Sequence, residues 1–170
     1  MNNTINHDLS RSDDPKHSEL AGCGHATEAT WMIMYEAVRR NDRALFDRIT
    51  GMFKRHAIVS KDDVYGGYFN DCMNVDENRW QLRKISWAQA FILINSLYLI
   101  EHSDQFAWAE EKLPLKKQGF ALWLEPNDRF VTFNPKSSRK DNYHHPRHLM
   151  LNLASARRMV ERGGKISNVI

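Results

Sequence analysis

Apolar residues recur at helical spacing along most of the chain and give way to short aromatic runs at a few places. Over 26–39, Ala26, Ala29, Ile33 and Ala37 fall on one face and predict an amphipathic helix. A second helix is predicted over 43–57, with Leu45, Ile49, Met52, Phe53 and His56 at the same spacing, broken by Lys61-Asp62-Asp63. Residues 64–70 have aromatic strand character around Gly66-Gly67, and 80–84 is the expected partner in an irregular hairpin. The stretch 87–101 is apolar on nearly every face, so the helix it predicts must be enclosed by other elements. By contrast 104–113 is amphipathic, with Phe106, Ala109 and Leu113 inward, Glu110, Glu111 and Lys112 outward, and Pro114 as its stop. Strands are predicted at 120–124 and 129–133, joined by the turn Glu125-Pro126-Asn127-Asp128. A last helix spans 146–162, with Pro146 in its first position and Gly163-Gly164 as its end.

The order is helix, helix, hairpin, helix, helix, hairpin, helix, with enclosed and amphipathic helices alternating. The expected fold class is all-α, a partial toroid of helix hairpins with short β-hairpins between helix pairs. Inner helices would line a cavity and outer ones shield it, and five helices do not close such a ring. Residues 1–20, rich in Asn, Asp and Ser, read as a polar arm or loop, 21–165 as the folded unit and 166–170 as a tail.

Composition changes this picture little. The chain has 170 residues, 42% hydrophobic and 26% charged, which is the make-up of one globular domain. The apolar run 88–100 is interrupted by Gln89, Asn95 and Ser96 and is too short to span a bilayer. The polar start 1–19 lacks the apolar segment of a signal peptide, so a cytoplasmic protein without a membrane partner is expected. Cys23 and Cys72 fit no metal or redox spacing and read as reduced thiols. The net charge of +3 is uneven, with Pro135 to the end carrying +6. No aromatic residue interleaves with those charges after Tyr143, so a solvated helix face plus a frayed tail is expected in place of a nucleic-acid partner.

Two places put histidine where a helix begins. In Gly24-His25-Ala26-Thr27-Glu28, Gly24 is an acceptable N-cap that sets His25 in the first turn, with Glu28 three residues on along the same face. In Tyr143-His144-His145-Pro146-Arg147-His148, a helix starting at Pro146 leaves His144 and His145 in the incoming loop. The positive end of a helix dipole disfavours imidazolium, and a neutral imidazole is what a general base needs near neutral pH. The same helix ends would stabilise an enolate-like anion. The plainer alternative is that both histidines cap helices or bond within the core. Metal binding competes for His144, His145 and His148, but the spacing of four aligns His144 with His148 only on a continuous helix, which Pro146 argues against. His25 with Glu28 lacks the second histidine of a His-Glu-x-x-His zinc site. No metal and no cofactor is expected.

Taken together, Gly24-His25-Ala26-Thr27-Glu28-Ala29-Thr30-Trp31, Tyr65-Gly66-Gly67-Tyr68-Phe69, Lys84-Ile85-Ser86-Trp87 and Tyr143-His144-His145-Pro146-Arg147 resemble four motifs of the N-acylglucosamine 2-epimerase superfamily, in the family's order. The resemblance implies part of an (α/α)6 barrel. It also implies cofactor-free epimerisation or aldose–ketose isomerisation of a sugar, in which two histidines move a proton next to the carbonyl through a cis-enediol(ate). By motif these are His25 and His144. Glu28 would bind substrate or orient the imidazole, Arg147 would hold the loop or a substrate oxygen, and Trp87 would be a sugar-stacking wall. A core aromatic opening an enclosed helix is the equal alternative for Trp87.

The chain departs from that pattern in two ways. Met1 stands only 24 residues before His25, whereas the family carries a full N-terminal half there, and Ser137-Ser138-Arg139-Lys140-Asp141-Asn142 replaces a glycine-rich approach to the last motif. The rival expectation is therefore an inactive fragment or split half that works only with a complementing N-terminal half or as a homo-oligomer. An open half-barrel would expose the apolar sides of 26–39 and 86–101.

Overall fold

The computed structural model describes residues 4–64, 66–112, 123–124 and 144–170. β1 (Ala21–Gly22) runs directly into α1 (Cys23–Arg40), and α2 (Arg43–Ser60) follows after a two-residue turn. β2 (Asp71–Asn74), β3 (Arg79–Gln81) and β4 (Lys84–Ile85) come before α3 (Ser86–His102), then α4 (Phe106–Lys112), β5 (Trp123–Leu124) and α5 (His144–Glu161). The described residues are therefore mostly helical. β1, β2 and β3 form one antiparallel sheet in that order, and β4 pairs antiparallel with β5.

Local chemistry explains the turns. Asn41 closes α1 in the left-handed region, and the Asp42 carboxylate caps α2 by accepting from the Leu45 N–H at 2.9 Å. Gly163 and Gly164 have φ of 60° and 78°, and their N–H groups reach back to Val160 and Met159. The glycine stop of α5 is thus as the sequence predicts.

Several boundaries differ. The N-cap of α1 is Gly22, so Gly24 lies inside the first turn. A Cβ on Gly24 would overlap Asn70 Oδ1 and lie 3.0 Å from Trp87, so close packing is what glycine permits here. The first hairpin is β2–β3, later in the chain than 64–70. Gly66 and Gly67, with φ of 81° and 79°, form a loop that a strand backbone cannot match. Of the second hairpin, 120–124 with 129–133, only Trp123–Leu124 is described, and that strand pairs with β4. α5 begins at His144, which places Pro146 in its third position. The first four N–H groups of a helix have no intrahelical partner, so proline is tolerated there as well as at the first position. α4 starts only at Phe106, whose side chain is exposed instead of inward, while Ala109 is buried as expected.

α3 lies between α1 and α5, with α2 and α4 also packed on it. Eleven of its 17 residues are buried, which meets the expectation that an all-round apolar helix is enclosed. The core joins Met34 and Ala37 of α1, Phe46, Ile49 and Phe53 of α2, and Ile92 and Leu99 of α3. Phe46 and Phe53 are fully buried, each contributing about 1.5–3 kcal/mol. Met34, not Ile33, is the inward residue of α1, because the buried face is turned towards Thr27, Thr30 and Met34.

Two polar clusters fix helix register. Asn95, fully buried on α3, donates to the Thr27 carbonyl at 2.7 Å and accepts from the Thr30 hydroxyl at 2.9 Å, tying α3 to α1. Glu101, also buried, accepts from Arg158 Nε at 2.6 Å and Nη2 at 2.8 Å, from Arg162 at 3.2 Å and from the Ser155 hydroxyl at 2.5 Å, tying α3 to α5. Part of the basic end is therefore consumed internally. The tail is docked instead of frayed, since Ser167 is buried and its N–H reaches the Glu101 carbonyl at 2.9 Å. Among the described residues no helix is long and apolar enough to cross a membrane.

Candidate functional site

The first turns of α1, α3 and α5 meet at one end of the helix layer. His25, third residue of α1, is exposed, and its ring lies 5.2 Å from that of Trp87, tilted by 53°. Trp87 stands second in α3 and meets Phe91, one turn on, edge to face at 5.8 Å. From α5, the Arg147 guanidinium sits 5.3 Å from the Phe91 ring centre and 5.5 Å from that of Trp31. Its Nη2 is 3.6 Å from Glu28 Oε1, and both side chains are largely shielded. Four of the five residues singled out by motif, His25, Glu28, Trp87 and Arg147, thus belong to one connected cluster. The backbone of His144 opens α5 three residues before Arg147. Its side chain is outside the described residues.

The cluster suits chemistry on a polar, neutral ligand that offers a face to an aromatic ring. An exposed imidazole beside an indole can exchange protons with a bound molecule, and the indole can stack on its apolar face. The Glu28–Arg147 pair supplies a charged hydrogen-bonding edge, held in place by the two aromatic faces against Arg147. Two contributors were not recognised from sequence. Trp31 belongs to the first motif, and its place three residues after Glu28 sets it on the same face. Phe91 reads as core, and its fully buried ring also forms the floor under Arg147.

The two glycine and lysine motifs also meet. The Lys84 ammonium, fully buried, lies 2.7 Å from Asp62 Oδ2, and its stem passes under Gly67. Gln89 of α3 grips the Tyr68 backbone, accepting from its N–H at 2.9 Å and donating to its carbonyl at 2.8 Å. The loop 62–69 is thereby fastened to the start of the helix that carries Trp87.

Among the described residues no three His, Cys, Asp or Glu side chains come together to hold a metal. Because α5 starts at His144, that residue and His148 do stand on one continuous helix. His148 is buried, with its Nδ1 3.4 Å from Asn152. The two cysteines are free and buried, and burial pushes the Cys23 thiol up to about 11. No family model matches the chain, and no curated protein matches it.

Proposed function

We propose that this chain carries the proton-transfer site of a sugar 2-epimerase or aldose–ketose isomerase, in a partial (α/α)6 barrel. His25 and His144 act as the acid/base pair through a cis-enediol(ate). Removal of the proton next to the carbonyl, and its return to C1 or to the opposite face of C2, separates isomerisation from epimerisation. Trp87 stacks on the sugar, while Glu28 and Arg147 bind its hydroxyl groups or carbonyl oxygen. No cofactor takes part. The observation that carries this reading is the convergence of His25, Glu28, Trp87 and Arg147, from three distant motifs, at the N-terminal ends of three neighbouring helices.

The test is exchange of the C2 proton of hexoses and N-acyl hexosamines in deuterated water. Exchange is expected, and is expected to vanish in His25→Ala and in His144→Ala. Exchange that survives both substitutions ends the assignment.

A second reading is that the chain is inactive until it associates with a complementing chain or a second copy. Exposed apolar side chains on α1 and α5 favour it: Met32, Tyr35, Leu149, Met150, Leu153 and Val160. Of the apolar residues of α3 only Leu93 is exposed, so that helix contributes little. A stable monomer by sedimentation at working concentration, active in exchange, rules this reading out.

A further inference from the structure

We propose that Lys84 is a positioning residue: its buried ion pair with Asp62, locked beneath Gly67, fixes the start of α3 and with it the Trp87 ring against which His25 rests. The inference concerns the geometry of His25, and only its activity readout rests on the epimerase reading.

A buried lysine–aspartate pair is a poor device for stability alone. Desolvating both ions offsets much of their attraction, and an apolar pair of similar volume is often as stable or more so. Lys84 and Asp62 nevertheless sit almost fully out of water, 2.7 Å apart. What the pair adds is direction. The Asp62 carboxylate also accepts from the Val64 N–H at 2.9 Å, its backbone N–H donates to the Gly67 carbonyl at 2.9 Å, and the Gly66 N–H returns to its own carbonyl at 2.9 Å. The loop is therefore closed on the very residue that holds the ammonium.

The lysine stem is equally confined. A Cβ on Gly67 would lie 2.9 Å from Lys84 Cδ, and the φ of 79° there already favours glycine. Lys84 belongs to β4, which runs without a break into α3. Two attachments thus bracket the first turn of that helix, Lys84 to Asp62 before it and Gln89 to Tyr68 after it. Trp87 lies between them. Its ring touches His25 on one side and packs against Gly24 on the other. Loosening the first attachment frees the start of α3 to shift, and the ring moves with it.

The experiment compares Lys84→Met with the double variant Lys84→Met/Asp62→Leu, in which no buried carboxylate is left unpaired. Side-chain NMR of His25, assigned with His25→Gln, reads the ring-current shift imposed by Trp87. Met34→Ala, a core truncation in α1, serves as a control for lost stability alone. In both Lys84 variants the His25 resonance is expected to move towards that of free histidine. The double variant recovers melting temperature without recovering the resonance, whereas Met34→Ala melts earlier with the resonance in place. A double variant whose His25 resonance matches wild type overturns the proposal, also where the single variant fails to fold. Where the wild-type chain exchanges the C2 proton, Lys84→Met lowers kcat about tenfold or more with KM little changed. If the wild-type chain exchanges nothing, the function reading falls while the His25 readout still decides the role of Lys84.

Discussion

Glu101 offers the sharpest test of how the helices are held. Its carboxylate, fully withdrawn from water, takes two hydrogen bonds from Arg158 and one each from Arg162 and Ser155. Glu101→Gln keeps the shape and removes the charge. Breaking a buried ion pair costs about 3–5 kcal/mol when the remaining charge is stranded. Here the arginines reach solvent, with 43% and 29% of their side chains exposed, so part of the lost pairing is replaced by water. The expected loss is about 2–3 kcal/mol, or about 4–12 °C in Tm for a chain of this size.

Thermal and urea unfolding followed by circular dichroism measure that loss. The pH dependence gives a second reading. Burial alone would raise the Glu101 carboxyl, but the hydrogen bonds from Arg158 and Ser155 outweigh it and hold the group below its ordinary value of 4.5. This stabilisation is fully present above the ordinary value and is lost as pH falls through the lower folded value. Wild type and Glu101→Gln should therefore converge in acid. Glu36→Gln is the control: Glu36 also pairs with two arginines, Arg39 and Arg40, but on the exposed face of α1, and its loss should leave the midpoint unchanged. A Glu101→Gln loss below about 1 kcal/mol, or an equal loss in the control, refutes the assignment of the α3–α5 contact to this cluster.

Two further outcomes follow from the same packing. His56 is held down to about 4 chiefly by burial, with Arg55 adding to it, so the stability it confers is fully present above 6.5 and is lost as pH falls from 6.5 through about 4. His56→Gln should flatten the stability curve across that window, and an unchanged slope speaks against the half-buried, neutral ring. Gly24→Ala should gain helix propensity yet lose about 1–2 kcal/mol net, because its Cβ meets Asn70, Trp87 and Ala88. A urea midpoint equal to or above wild type would show that the contact yields freely.

Sequence by itself determined the helices and their order, because the apolar spacing that defines a helix is local and survives any arrangement of neighbours. The enclosure of α3 was legible for the same reason: a helix with no polar face has nowhere else to go. The motif positions His25, Glu28, Trp87 and Arg147 were legible too, as residue types at particular spacings. Tertiary structure alone decided that Trp31 and Phe91 grip Arg147, that Gly24 is a packing glycine and not a cap, and that Lys84 is buried against Asp62. It also turned two arginines of the basic end inward onto Glu101 and docked the tail beside them. Those facts depend on which side chains from distant segments share one space. Period and charge along the chain carry no record of that, since a charged residue looks the same in sequence whether it faces water or a buried partner.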